Sequence, residues 1–198
     1  FDAALINIPD IPGKVHRGFW NSFSHNSFKD RLVQQVKDFG GASKKIWISG
    51  HSLGSAHAQL FSVYLAKKGI TAQGVYLYAS PHPGDQNFVD GLNLIFPNQR
   101  LQRFDFSSDP ITMLAPYALG YRRAGTRVFY KDIKSIQYAA TERGPLELAG
   151  VLTAVTGAVG FNISGSEFCY HHPTWYLRSA YTQLSLTERE KVPAPLPL

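Results

Sequence analysis

Residues 46 to 55, Ile-Trp-Ile-Ser-Gly-His-Ser-Leu-Gly-Ser, leave this chain few ways to fold. Ile46, Trp47 and Ile48 are β-branched or aromatic and read as the body of a strand. Directly afterwards Leu53, Ala56, Leu60, Phe61, Tyr64 and Leu65 recur at helical spacing, and Lys67, Lys68 and Gly69 close the run. A strand must therefore turn abruptly into a helix through Gly50-His51-Ser52-Leu53-Gly54, a Gly-x-Ser-x-Gly turn. The two glycines are expected to let strand and helix pass at a distance that a Cβ would block, with Ser52 in strained backbone between them. Such a turn pushes the Ser52 hydroxyl out at the carboxyl end of the sheet. The helix N-terminus and the Leu53 amide lie behind it, where they can stabilise an oxyanion. The plainer reading is a Gly/Ser turn with an inert serine, and the flanking strand and helix argue against it.

The rest of the pattern alternates strands with helices. Residues 23–39 predict a helix, with Phe28, Leu32, Val36 and Phe39 at helical spacing and Gly40-Gly41 as its stop. Residues 75–79 predict a strand, 84–96 a short helix, and 100–106 a further strand. Residues 121–138 alternate like a hairpin or strand pair with a turn at Gly125, and residues 173–184 read as a last helix opened by Pro173. This predicts an α/β fold with a mostly parallel central sheet and helices on both faces. The whole chain, 1–198, reads as a single domain whose last residues, 192–198, form an extended, proline-rich tail.

A serine needs a base, and the base needs an orienting acid. The chain order that accompanies a serine at such a turn is serine, then acid, then histidine. Of the seven histidines, His16, His25 and His51 precede Ser52, while His57 and His82 follow it too closely to leave room for the acid's strand. His171 and His172 remain. His172 is preferred because Pro173 sets it in the loop entering a helix, where the dipole favours a neutral imidazole; His171 is the fallback. For the acid, Asp109 is preferred because Ser107-Ser108-Asp109-Pro110 looks like the loop leaving a strand's carboxyl end. Asp105, inside that strand, is the alternative, and Asp109 also reads as an ordinary Asp-Pro turn initiator.

These residues resemble the fungal-type class 3 lipases, a branch of the α/β-hydrolases, over nearly the whole chain. Val15-His16-Arg17-Gly18-Phe19 is similar to the family's Val-His-x-Gly-Phe block, and residues 46–55 to its serine turn. Ser80-Pro81-His82-Pro83-Gly84-Asp85 is similar to a family segment that usually carries Arg where His82 stands. Asp109-Pro110 resembles the acid block, and His172, four residues before Tyr176-Leu177, fits the final His-x-x-x-Tyr-Leu pattern. The resemblance implies an α/β-hydrolase fold and a serine carboxylic-ester hydrolase acting on lipid esters, triacylglycerol lipase-like. Ser52 would be the nucleophile, His172 the base, Asp109 its orienting acid and Leu53 an oxyanion donor through its amide. It also implies a second oxyanion donor upstream of the Val-His-x-Gly-Phe block. Nothing in the fourteen residues before Val15 resembles that motif. The expectation is therefore that the first strands and this donor belong to a separate N-terminal fragment or partner chain. Losing one donor costs about 2.7–4 kcal/mol of transition-state stabilisation. That departure keeps open a reading of another class, a catalytically silent lipase-like module binding a lipid or a protein.

Composition supports a folded domain, with 44% hydrophobic and only 17% charged residues. The net charge of +6 is scattered over pairs such as Lys44-Lys45, Lys67-Lys68 and Arg122-Arg123, without a nucleic-acid motif. It suits a solvated surface or association with an anionic lipid interface. The location stays open from sequence, with secretion or a lipid surface as the favoured readings. Cys169 is alone, so no internal disulfide forms, and it reads as a small core residue. No metal-ligand spacing and no phosphate-cradling loop call for a cofactor. Residues 148–166 carry no charge, yet their glycines and threonines make them weakly hydrophobic, and they predict a helix packed near the active site rather than a membrane span.

Overall fold

The computed structural model describes residues 4–107, 109–115, 117–131, 136–139 and 171–192. The uncharged run 148–166, Cys169 and residues 193–198 of the tail lie outside the described residues. The apolar lead-in before Val15 forms a short antiparallel hairpin, β1 (Leu5–Asn7) with β2 (Lys14–His16). A main sheet of β3 (Trp47–His51), β4 (Gly74–Tyr78), β5 (Leu101–Phe106), β6 (Thr126–Tyr130) and β7 (Ile136–Ala139) follows in that spatial order. The pairs from β3 to β6 are parallel, and β7 closes against β6 antiparallel. Two crossovers are helical, α3 (Leu53–Lys67) between β3 and β4 and α4 (Gln86–Ile95) between β4 and β5. The carboxyl ends of β3 and β5 therefore emerge on one side, where an open α/β sheet builds its sites.

Side-chain alternation gives the sheet two different faces. Ile48, Val75, Leu77 and Leu101 pack in one core with Phe19 and Phe23, Leu60, Val63 and Leu65 of α3, and Phe88 and Leu92 of α4. Burying each of these large side chains stabilises the fold by about 1.5–3 kcal/mol. Leu60→Ala, at a fully buried position, would cost about 2–5 kcal/mol. On the opposite face Phe106, Val128 and Tyr130 pack with Tyr176, which lies on α5 (Pro173–Gln183). Helices thus cover both faces, and a short α6 (Leu186–Arg189) follows behind a Ser185–Glu188 capping box.

Three local expectations change. The helix expected over 23–39 is two helices, α1 (Arg17–Ser24) and α2 (Phe28–Asp38), broken by a 3-10 turn at His25–Ser27. Asn26 and Ser27 take left-handed φ values of 47° and 56° there, which a continuous helix does not allow. Apolar spacing carried across the break because both helices face the same core. Gly125 is not the turn of the strand pair but the residue before β6, with φ 77°. A Cβ on it would stand 2.6 Å from the Leu101 carbonyl oxygen, so glycine lets the chain close onto β5. The third change is at the serine turn. A Cβ on Gly50 would lie 2.6 Å from the Gly54 carbonyl carbon and 2.7 Å from the Ser55 Cα, whereas one on Gly54 would meet nothing within 4 Å. The close approach of strand and helix rests on Gly50 alone.

Candidate active site

Ser52 stands between β3 and α3 with φ 57° and ψ −129°, a conformation that costs a non-glycine residue about 1–3 kcal/mol. Its surroundings hold it there. The Ser52 N–H donates to the Tyr78 carbonyl at 3.0 Å, and the Ser52 carbonyl accepts from the Ser55 N–H at 2.9 Å and from the Ser55 hydroxyl at 2.6 Å. Ser55, the small residue after the second glycine, is fully buried. Leu53 opens α3, so its N–H is one of the donors that a helix leaves without an internal partner.

The acid side is built at the exit of β5. The Asp109 N–H donates to Phe106, and Pro110 starts a 3-10 turn, Pro110–Met113. Asp109 Oδ1 accepts from the Ile111 N–H at 2.9 Å, so the carboxylate does cap an Asp-Pro turn. The same carboxylate also faces the serine turn. His171 Nδ1 lies 3.1 Å and 3.0 Å from its two oxygens, and His171 Nε2 lies 2.8 Å from Ser52 Oγ. Ser52, His171 and Asp109 form one hydrogen-bonded line. The Tyr176 hydroxyl donates to Asp109 Oδ2 at 2.6 Å and accepts from the Phe106 N–H at 3.2 Å. Burial and the neighbouring Asp109 carboxylate hold the Tyr176 phenol well above its ordinary value, so it remains a donor.

The structure places His171 in this line, and not His172, the residue expected as base. His172 is the N-cap of α5, is exposed, and accepts the Thr174 N–H at its Nδ1 at 3.3 Å. Pro173 at the first helical position makes its predecessor the cap, so the residue before the cap reaches the serine. The motif spacing to Tyr176 is accordingly one residue longer than the resemblance implied. Asp105, the alternative acid, is engaged elsewhere, accepting from Arg103 Nε and Arg127 Nε, each 3.0 Å from its Oδ2.

Tyr176 entered the sequence reading only as part of a pattern, and no local signal marks it as a partner of the acid. His82 is a second such residue. It is buried, its Nδ1 donates to the carbonyls of Leu114 and Ala115 at 2.8 Å and 2.6 Å, and its Nε2 accepts from Arg123 Nε. Burial, then the charges of Arg123 and Arg103, press its pKa well below the ordinary value and keep it neutral. Arg123 Nη2 also donates to the Thr112 carbonyl, and the Thr112 hydroxyl donates to the Asp109 carbonyl. His82 therefore helps fix the loop that begins at Asp109. Among the described residues no group of three or more His, Cys, Asp or Glu is placed to hold a metal ion.

A parallel sheet flanked by helices, with a serine turn and a Ser–His–Asp line at its carboxyl edge, defines an α/β-hydrolase-type protein. Comparison with known proteins narrows this. The family described as lipase (class 3) matches residues 1–118, more than half of the chain and including Ser52 and Asp109, and the chain belongs to that family. A lipase of Rhizomucor miehei is 28% identical over 134 residues, covering 64% of this chain and 36% of that protein. A secreted mono- and diacylglycerol lipase A of Penicillium cyclopium is 29% identical over 106 residues, covering 52% of this chain and 33% of its own. The chain thus spans about a third of the length of these relatives. A solved triacylglycerol lipase, described as having a serine protease triad as its catalytic centre, superposes with a TM-score of 0.60 at 24% identity. That match covers 75% of this chain and 59% of the other and shows the shared fold.

Proposed function

We propose that this chain carries the catalytic centre of a serine carboxylic-ester hydrolase that cleaves lipid esters. The observation that carries the reading is the unbroken line from Ser52 Oγ through His171 to Asp109. As His171 Nε2 takes the proton, Ser52 Oγ attacks the acyl carbonyl carbon and the carbonyl oxygen becomes an oxyanion. The Leu53 N–H at the start of α3 is one donor to that oxyanion. Collapse of the intermediate breaks the ester C–O bond, and His171 returns its proton to the leaving alcohol. Water, deprotonated in its turn by His171, then releases the acid from the acyl-serine. Asp109 keeps the His171 proton on Nδ1 and stabilises the imidazolium that forms, while Tyr176 orients Asp109. The choice of lipid esters is supported by family membership and by the acylglycerol substrates in the names of two matched proteins.

The test is covalent labelling with a fluorophosphonate, read by intact mass, beside hydrolysis of a soluble ester and an emulsified acylglycerol. A single adduct on Ser52, absent with activity in Ser52→Ala, is the expected result. A folded chain that neither labels nor hydrolyses would contradict it and favour a silent lipid-binding module.

A further inference from the structure

The residue immediately before the serine is a histidine, and the reaction above gives it nothing to do. His51 closes β3, half-buried, with its Nε2 2.8 Å from the main-chain carbonyl oxygen of His171. The two rings lie 4.7 Å apart at 35°, and the His51 ring meets Tyr176 edge-on at 5.8 Å. A carbonyl only accepts, so the proton of His51 sits on Nε2. Burial, and then the neighbouring His171, push the His51 pKa down, so the ring is a neutral donor at neutral pH.

We propose that His51 is a positioning residue for the base, fixing the main chain of His171 against the serine turn through its Nε2–H. The proposal rests on the functional reading above. Its logic is one of free valences. Both ring nitrogens of His171 are occupied, one by Ser52 and one by Asp109, so a further tie can be made only to its backbone. His51 makes that tie from the last residue of the strand that also delivers Ser52. Nucleophile and base are thereby referenced to one rigid element, although 120 residues separate the two histidines in the chain. The side chain faces His171, Asp109, His172 and Tyr176, and of these it hydrogen-bonds the His171 main chain.

Three substitutions in the full chain test this. His51→Gln places an amide N–H the same number of bonds from Cβ as the imidazole Nε2–H, whereas His51→Leu and His51→Phe keep bulk without a donor. The readouts are the fluorophosphonate labelling rate of Ser52, kcat and KM on p-nitrophenyl butyrate, and the thermal midpoint. Leu and Phe are expected to lower kcat and labelling about 10- to 100-fold, the scale of a misplacement near 1 Å, with KM and midpoint nearly unchanged. Gln is expected to restore most of the loss. Should Leu and Phe both unfold, His51→Asn, whose amide stops short of the carbonyl, must show the loss beside an active Gln variant. Folded Leu and Phe variants that label at the parent rate, or a Gln variant as impaired as the others, would overturn the proposal. A parent chain that fails to label Ser52 would instead bring down the functional reading, and His51's role with it.

Discussion

Asp105 and Asp109 are neighbours on one strand and its exit loop, and both carboxylates are buried. They differ in their company. Asp105 lies between two guanidinium groups, Arg103 and Arg127, and Arg103 also donates to the Ala124 carbonyl. Asp109 is held by the Ile111 N–H, the Tyr176 hydroxyl and His171 Nδ1. A carboxylate already cancelled by two cations has little left to offer a third group. One with no guanidinium beside it keeps its charge for an imidazolium, as the proposed reaction requires. Burial alone therefore does not mark a catalytic acid; the kind of partner does.

The same isosteric change at the two positions should separate these roles. Asp109→Asn should lower kcat about 10^4-fold, as in other Ser–His–Asp sites, while the fold survives. Steady-state kinetics on a soluble ester, with a thermal melt as control, measure it, and a loss below tenfold would deny Asp109 its role. Asp105→Asn leaves two arginines facing a neutral group in the interior and should cost about 3–5 kcal/mol of stability. Denaturant unfolding reads that loss, and whatever fraction remains folded should keep its Ser52 labelling rate.

The comparison also shows why part of the site was legible in advance. Ser52 announces itself locally, because strand, Gly-x-Ser-x-Gly and helix adjoin in the chain. Asp109 follows from an Asp-Pro exit after a strand. His171 was not separable from its neighbour, because the choice depends on which residue caps α5, a single step in register. Tyr176, His51 and His82 gain their meaning from contacts across the fold, 67 residues from Tyr176 to Asp109 and 120 from His51 to His171. Periodicity reveals the fold where helices and strands repeat uniformly. It does not reveal the break at Asn26–Ser27 or the place of Gly125, where individual backbone angles decide.

Smaller effects sharpen the contrast. Tyr176→Phe removes a donor from Asp109 and the acceptor of the Phe106 N–H, and should lower kcat about tenfold, equivalent to about 1.4 kcal/mol, beside a stability loss of about 1–3 kcal/mol. A drop in stability with unchanged kcat would make Tyr176 a packing residue only. Stability should also fall on the acid side. His51, His57 and His82 all have lowered pKa values in the folded chain, so below the ordinary value of 6.5 the unfolded chain binds more protons than the folded one. Unfolding free energy should decline by up to about 1.4 kcal/mol per pH unit for each histidine that stays neutral as pH drops below that value. The most deeply buried, His82, should contribute over the widest range, and replacing it should flatten the slope between pH 6.5 and 5 in denaturation curves.

The most direct measurement compares His171→Ala with His172→Ala by fluorophosphonate labelling of Ser52. The geometry predicts that His171→Ala abolishes labelling while remaining folded. It predicts that His172→Ala labels at nearly the parent rate and loses about 0.5–2 kcal/mol of stability with the helix cap. Labelling that survives in His171→Ala and vanishes in His172→Ala would contradict the account.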